Sequence, residues 1–288
     1  MSNVYGLPDP LARALTVERR PVVPGRISVT ALIDSPLRRI LSLQHGHEIE
    51  EDVSENLWSL LGKAVHYVIE KSDKATEIKI EVSSKDATLV GVVDYYKDSK
   101  IIDWKLTSAW SAVFAADKNW ELQLQTYGYL VQSLGHPVTE LSVYMILRDW
   151  NKREAMKSPD SYPQIPFKEI SYIPWGKSTC EAFISERVSL HLSAEKIVSG
   201  ASPEEIPAEF WCTPTERWKK PTKYAAKNVG KDRAVRVFDR EEECSKFIHD
   251  TKMFLEVRPG ENTRCENYCS VSPWCSCFAK LKGGNDGI

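Results

Sequence analysis

Asp94, Asp103 and Lys105 are the residues of this 288-residue chain whose types and spacing carry chemistry. In Ile101-Ile102-Asp103-Trp104-Lys105 the acid and the base stand two residues apart, so on a strand both point to one face. Asp94 lies on the preceding strand-like segment. With Asp98-Ser99 as a two-residue hairpin turn, Lys97 faces Lys100 and Asp94 falls opposite Asp103, their Cβ atoms about 5 Å apart. A longer loop would shift that register. Two carboxylates so close on a mostly apolar sheet repel each other, and a divalent cation between them relieves the repulsion. Hydrolysis of a phosphodiester needs an activated water and relief of charge on the transition state. Mg2+ or Mn2+ held by carboxylates supplies both. Lys105 would orient or deprotonate the water, or stabilise the developing charge.

An Asp-x-Lys triplet alone is more often an ion pair on an exposed sheet face, so its surroundings must decide. In Gly62-Lys63-Ala64-Val65-His66-Tyr67-Val68-Ile69-Glu70, the residues Gly62, His66 and Glu70 share one helical face, and His66 offers a nitrogen ligand to the same metal. In Gln123-Leu124-Gln125-Thr126-Tyr127, Gln123 and Tyr127 share a face, placed to hold Lys105 or to touch a DNA strand.

The elements that must position these groups follow from periodicity. Helical spacing predicts helices over 27–43, 54–71, 119–134 and 178–198, and alternation predicts strands over 77–83, 88–96, 100–107 and 141–147. The central order is helix, three antiparallel strands, helix, strand. Residues 1–27 read as an extended Pro-rich arm, and 149–176, with four prolines, as loop. The organisation expected is a core over 28–205 with helical additions, and a basic and Cys-rich extension over 206–288 packed on that core.

Taken together, GKAVH, GVVD with Gly91 before Asp94, IIDWK and QLQTY resemble, in order and spacing, the PD-(D/E)XK nuclease superfamily. Within it they are most similar to the RecB-like exonuclease branch, which has CRISPR-associated and phage members. The resemblance covers roughly residues 28–150. It implies an α/β, restriction-endonuclease-like core, a mixed central β-sheet flanked by helices. It implies that His66, Asp94, Asp103 and the backbone carbonyl of Trp104 ligate the metal, that Lys105 is the catalytic lysine, and that Gln123 and Tyr127 are its accessory pair. Glu70 and Glu81 are lesser candidates, as partners of metal-bound water. The activity implied is that of a Mg2+- or Mn2+-dependent deoxyribonuclease acting on DNA ends, with recombination, CRISPR or phage proteins as possible partners. The competing reading is a non-catalytic DNA-binding scaffold that keeps the fold.

Seven cysteines without a secretory signal point to thiols or metal sites in a reducing, cytosolic setting. Cys265, Cys269 and Cys275 are crowded with Cys277 in RCENYCSVSPWCSC, a pattern that suits Zn2+ or an iron–sulfur cluster. Several RecB-like nucleases carry a 4Fe-4S cluster on one upstream and three C-terminal cysteines. Here Ser35 stands where the upstream cysteine is often found, so Cys212 is the expected fourth ligand. The net charge of −2 is no sign of nucleic-acid binding, but residues 217–236 are rich in Lys and Arg with Trp218 and Tyr224 interleaved, as a DNA-tracking surface would be. No apolar run is long enough to span a bilayer.

Overall fold

The computed structural model describes residues 1–16, 21–73, 76–83, 86–114, 118–198 and 206–282. The chain divides into two compact units, Met1–Gly200 and Ala201–Ile288.

The first unit runs α1 (Asp9–Leu15), β1 (Arg26–Ser28), α2 (Val29–Leu32), α3 (Pro36–His45), α4 (Leu57–Ser72), β2 (Thr76–Ser83), β3 (Thr88–Lys97), β4 (Lys100–Thr107), α5 (Ala109–Phe114), α6 (Lys118–Ser133), β5 (Glu140–Leu147), α7 (Lys152–Lys157), β6 (Phe167–Tyr172) and α8 (Lys177–Val198). Its six strands form one mixed sheet in which β1 and β5 run parallel to their neighbours β3 and β4, and the other pairs are antiparallel. The expected order of helix, three antiparallel strands, helix and strand is present as α4, β2–β3–β4, α6 and β5. Strand β5 reads ELSVYMIL because it is a central strand: Leu141, Val143, Met145 and Leu147 are buried on one face and Ser142 on the other.

The β3–β4 turn takes the short form. Asp98 and Ser99 both have positive φ, 51° and 64°, which matches the right-handed twist of the flanking strands, and Lys97 pairs with Lys100. Strand β3 shares one edge between two partners. Strand β1 pairs with Thr88 to Val90, and β4 pairs with Tyr95 to Lys97. Between them, residues 91–94 have no strand partner on that edge.

Four sequence expectations need correction. The helix expected over 27–43 is broken: Ile27 belongs to a strand, and the helical stretch stops before Ser35-Pro36, where Ser35 has ψ 131°. A residue before proline is pushed out of the helical region. The carbonyls left over at the end of α2 are taken up by α8, for Arg187 donates to Leu32 O at 2.8 Å and His191 Nε2 lies 3.2 Å from the same oxygen. The N-terminal arm holds the short helix α1, which buries Leu15. The prolines of 149–176 punctuate α7 and β6 rather than exclude them. Helix α6, expected to be amphipathic, is buried on more than one face. Leu124, Leu130 and Val131 meet the core, while the equally buried Gln125 donates to Ile173 O at 3.0 Å and accepts from Trp175 N at 2.8 Å.

The second unit contains β7 (Lys223–Asn228), β8 (Ala234–Phe238), α9 (Glu241–Phe247), β9 (Met253–Arg258), α10 (Thr263–Asn267) and α11 (Ser276–Lys282). Its strands form an antiparallel sheet in the order β8-β7-β9.

Candidate active site

The open edge of β3 is where the site lies. Continued past its last pair, Tyr95 with Ile102, the β3–β4 register would set Asp94 across from Asp103. Instead of continuing the backbone ladder, Asp94 Oδ2 accepts the Trp104 N–H at 3.3 Å. The side chain thus replaces a main-chain acceptor, and the strands part around the carboxylates.

Asp103 is 6% exposed. Burial pushes its carboxyl above the usual carboxylate range, the neighbouring Asp94 adds to this, and Lys105 opposes it. Lys105 Nζ lies 2.7 Å from the buried Asp103 Oδ2, a charge-assisted contact that holds the carboxylate. The contact is ionic. Gln123 Nε2 donates to the other oxygen, Oδ1, at 3.3 Å.

Helix α4 brings His66 over the parted strands. Its Nδ1 is 3.5 Å from Asp94 Oδ1 and its Nε2 is 3.1 Å from Trp104 O. Both neighbours are acceptors, which favours the protonated ring; to ligate a cation the ring would shed that proton. Its pKa is raised accordingly, chiefly by the hydrogen bond to Asp94. A cleft beside it is lined by His66, Ile69, Glu70, Asp73, Asp94, Tyr95 and Trp104.

Tyr127 fills the gap in the β3 edge. Its hydroxyl is held by Gln123, one turn earlier on α6, and by the backbone of Val92. Burial pushes that hydroxyl's pKa up to about 12. Gly91 is what admits the ring, for a Cβ there would lie 2.7 Å from Tyr127 Cε1 and 3.3 Å from a Val29 methyl. Gly91→Ala is therefore expected to displace the ring, cost about 1–3 kcal/mol of stability and lower the cleavage rate by roughly 10- to 100-fold. Thermal unfolding and turnover measured on the one variant test both effects.

The structure thus brings His66, Asp94, Asp103, Trp104 O, Lys105, Gln123 and Tyr127 together, and Glu70 lines the same cleft. Glu81 does not join them: it is exposed on β2 and paired with Arg26 at 2.7 Å. Sequence reasoning missed Asp73, which accepts from Tyr95 Oη at 2.9 Å and pairs with Lys97 at 2.9 Å. Its signal was spacing, since Asp73 follows His66 by seven residues and so continues the face of His66 and Glu70.

Among the described residues, no three His, Cys, Asp or Glu side chains are arranged as a ready metal cage. At the carboxylates the donor set nevertheless fits a hard divalent cation: two Asp carboxylates, a carbonyl and an imidazole.

The cysteines fit a cluster less well. Cys265 is pushed up to about 11 by burial and by Cys269 and Cys275. Cys275 is lowered to about 7 by the Cys277 thiol, and Cys277 is raised by that same contact and also senses Cys212. These thiols lie near one another, but among the described residues no three His, Cys, Asp or Glu side chains are arranged to hold a metal ion, and the 4Fe-4S or Zn2+ expectation is unsupported.

The basic segment is also largely answered from within. Lys220 pairs with Glu261, Lys223 with Asp239 and Lys227 with Glu256. Arg236 lies over Phe238 and Phe247, and Arg217 is buried, donating to Cys212 O at 3.2 Å. Lys219, Lys231 and Arg233 remain as exposed cations.

The model of the PD-(D/E)XK nuclease superfamily matches residues 30–276, well over half the chain and all of the site. The chain belongs to the PD-(D/E)XK nuclease superfamily. Its fold, a central mixed sheet flanked by helices, is the restriction-endonuclease-like one expected from the motifs. Among solved structures, this PD-(D/E)XK chain is similar to SSO0001, with 17% identity and a TM-score of 0.42 over 62% of this chain and 84% of that one. It is also similar to the alkaline exonuclease LHK-Exo from Laribacter hongkongensis, with 13% identity and a TM-score of 0.40 over 60% of this chain and 88% of that one. A search of curated proteins finds no significant match. Among the described residues, no helix is long and apolar enough to cross a membrane.

Proposed function

We propose that the protein is a Mg2+- or Mn2+-dependent deoxyribonuclease of the RecB-like branch that degrades DNA from its ends. One observation carries this reading: Asp94 and the buried Asp103 converge with His66 where the β3–β4 ladder parts, and Lys105 Nζ lies 2.7 Å from Asp103 Oδ2. A purely structural ion pair would need no second carboxylate beside the buried one, because two like charges so close repel each other.

Asp94 and Asp103, with the Trp104 carbonyl and His66, are the groups that would hold the cation. A cation bound there supplies charge relief on the phosphate and a water of lowered pKa. The remaining steps belong to the side chains. Lys105, 27% exposed, reaches from the buried carboxylate toward solvent, where it can orient the attacking water or neutralise the phosphate oxygens. Gln123 fixes Asp103 Oδ1, and Tyr127 fixes Gln123 and closes the sheet edge behind the carboxylates.

The test compares linear and covalently closed circular DNA with Mg2+ or Mn2+. Nucleotide release from linear DNA with circular DNA left intact is expected. Cutting of circular DNA at a comparable rate overturns end-processing. Retained binding with no cleavage in either metal favours the scaffold reading.

A further inference from the structure

Trp58 is a large aromatic residue held at the surface near the site. It is 65% exposed, on the first turn of α4, and the Arg148 guanidinium lies over its ring, 4.6 Å from the centroid. Both ends of this pair are tied to the catalytic elements. Arg148 follows β5 directly, and its N–H donates to Thr107 O at 3.0 Å. Thr107 is two residues beyond Lys105 on β4, hence on the same face and about 7 Å further along. Trp58 precedes His66 by eight residues on α4, about 12 Å along the helix axis. The Trp58–Arg148 pair is therefore anchored on the two elements, α4 and the C-terminal end of β4, that carry His66 and Lys105.

Neither residue is explained by the fold. Among the described residues Arg148 has no ion-pair partner, and the pair lies outside the hydrophobic core. An exposed indole backed by an unneutralised guanidinium offers an apolar stacking face and a positive charge side by side. That combination matches an unpaired base and its phosphate, and not the edge of a stacked duplex, where the base faces are already covered.

We infer that Trp58 and Arg148 form a binding subsite for single-stranded DNA next to the cleavage site, with a base stacked on Trp58 and its phosphate held by Arg148. The inference rests on the nuclease reading above. Because the pair is tied to α4 and to the end of β4, the subsite would grip the strand close to the scissile phosphate.

The experiment measures binding of a fluorescent single-stranded oligonucleotide and of a blunt hairpin duplex by anisotropy, without divalent metal, across a range of salt. Trp58→Leu is expected to weaken single-strand binding about 10-fold and hairpin binding less than about twofold, while Trp58→Phe, which keeps a stacking face, stays within about threefold of wild type. Arg148→Ala is expected to reduce the slope of log affinity against log salt by about one. Since Trp58 is exposed, circular dichroism should show all three variants folded. If Trp58→Leu does not fold, Trp58→Phe and the Arg148 salt slope still decide. Wild type that binds and cuts DNA, with leucine and alanine variants binding like it, overturns the subsite alone. Wild type that neither binds nor cuts any DNA overturns the nuclease reading as well.

Discussion

Lys105→Ala is expected to lower the rate of DNA cleavage by about 10²- to 10³-fold, with DNA affinity in the absence of metal nearly unchanged. The size follows from the loss of a charge aimed at the reacting phosphate in a partly buried site, where one such donor is worth about 10²–10³. The same variant should show what Lys105 does at rest. Its ammonium is the nearest opposing charge to the buried Asp103 carboxylate. Without it the metal-free protein is left with an uncompensated buried acid and should unfold more easily. Added Mg2+ should then raise its melting temperature by more than it raises that of wild type, because the cation no longer competes with a lysine for Asp103. Asp103→Asn separates the two roles. It should be as inactive as Lys105→Ala, yet the metal-free protein should be no less stable than wild type, since a buried charge repelled by Asp94 is gone. Differential scanning fluorimetry with and without Mg2+, alongside cleavage rates, reads all of this. Retention of cleavage within tenfold in Lys105→Ala would remove the lysine from the mechanism.

The second large effect concerns stability and lies outside the site. His191 is fully buried on α8, with Nε2 donating to Leu32 O and Nδ1 without a partner. Burial holds its pKa down to about 4, and nearby Arg187 adds to this. In the unfolded chain an imidazole titrates near 6.5. Between those two values the unfolded state binds a proton that the folded state refuses, so stability is fully present above about pH 6.5 and falls as pH drops toward 4. The shift corresponds to a loss of about 3 kcal/mol across that window. His191→Gln keeps a donor for Leu32 O and removes the titration. Its unfolding free energy, measured by denaturant at several pH values, should therefore lack this part of the acid-side decline. A variant with the same slope as wild type would show that other groups set the acid sensitivity.

What the sequence made legible was local. The Asp94, Asp103 and Lys105 arrangement depends on one two-residue turn, and the spacing of His66 with Glu70 and of Gln123 with Tyr127 depends only on helical repeat. Such features survive without knowledge of the rest of the chain. What stayed hidden depends on distant partners. Strand β1 is three residues long and finds β3 about sixty residues later, so Ile27 looks like part of a helix until that pairing is known. The basic run looks like a DNA track because its neutralising acids, Asp239, Glu256 and Glu261, lie 16 to 41 residues further along the chain. The strands KYAAKN, AVRVF and MFLEVR escaped for a related reason: charged residues interrupt the alternation that marks a strand.

The shared edge of β3 has a consequence for when the protein can act. Its catalytic carboxylates sit in an interruption of the backbone ladder that exists only while β1 and β4 both hold their places and Tyr127 stands between them. A growing chain has β1 long before it has α6, and a partly unfolded chain loses the three-residue strand first. In either state the carboxylates have no fixed separation and Lys105 has no partner to work against. A site built this way is assembled only when the fold is complete, and damage to that fold takes the site apart.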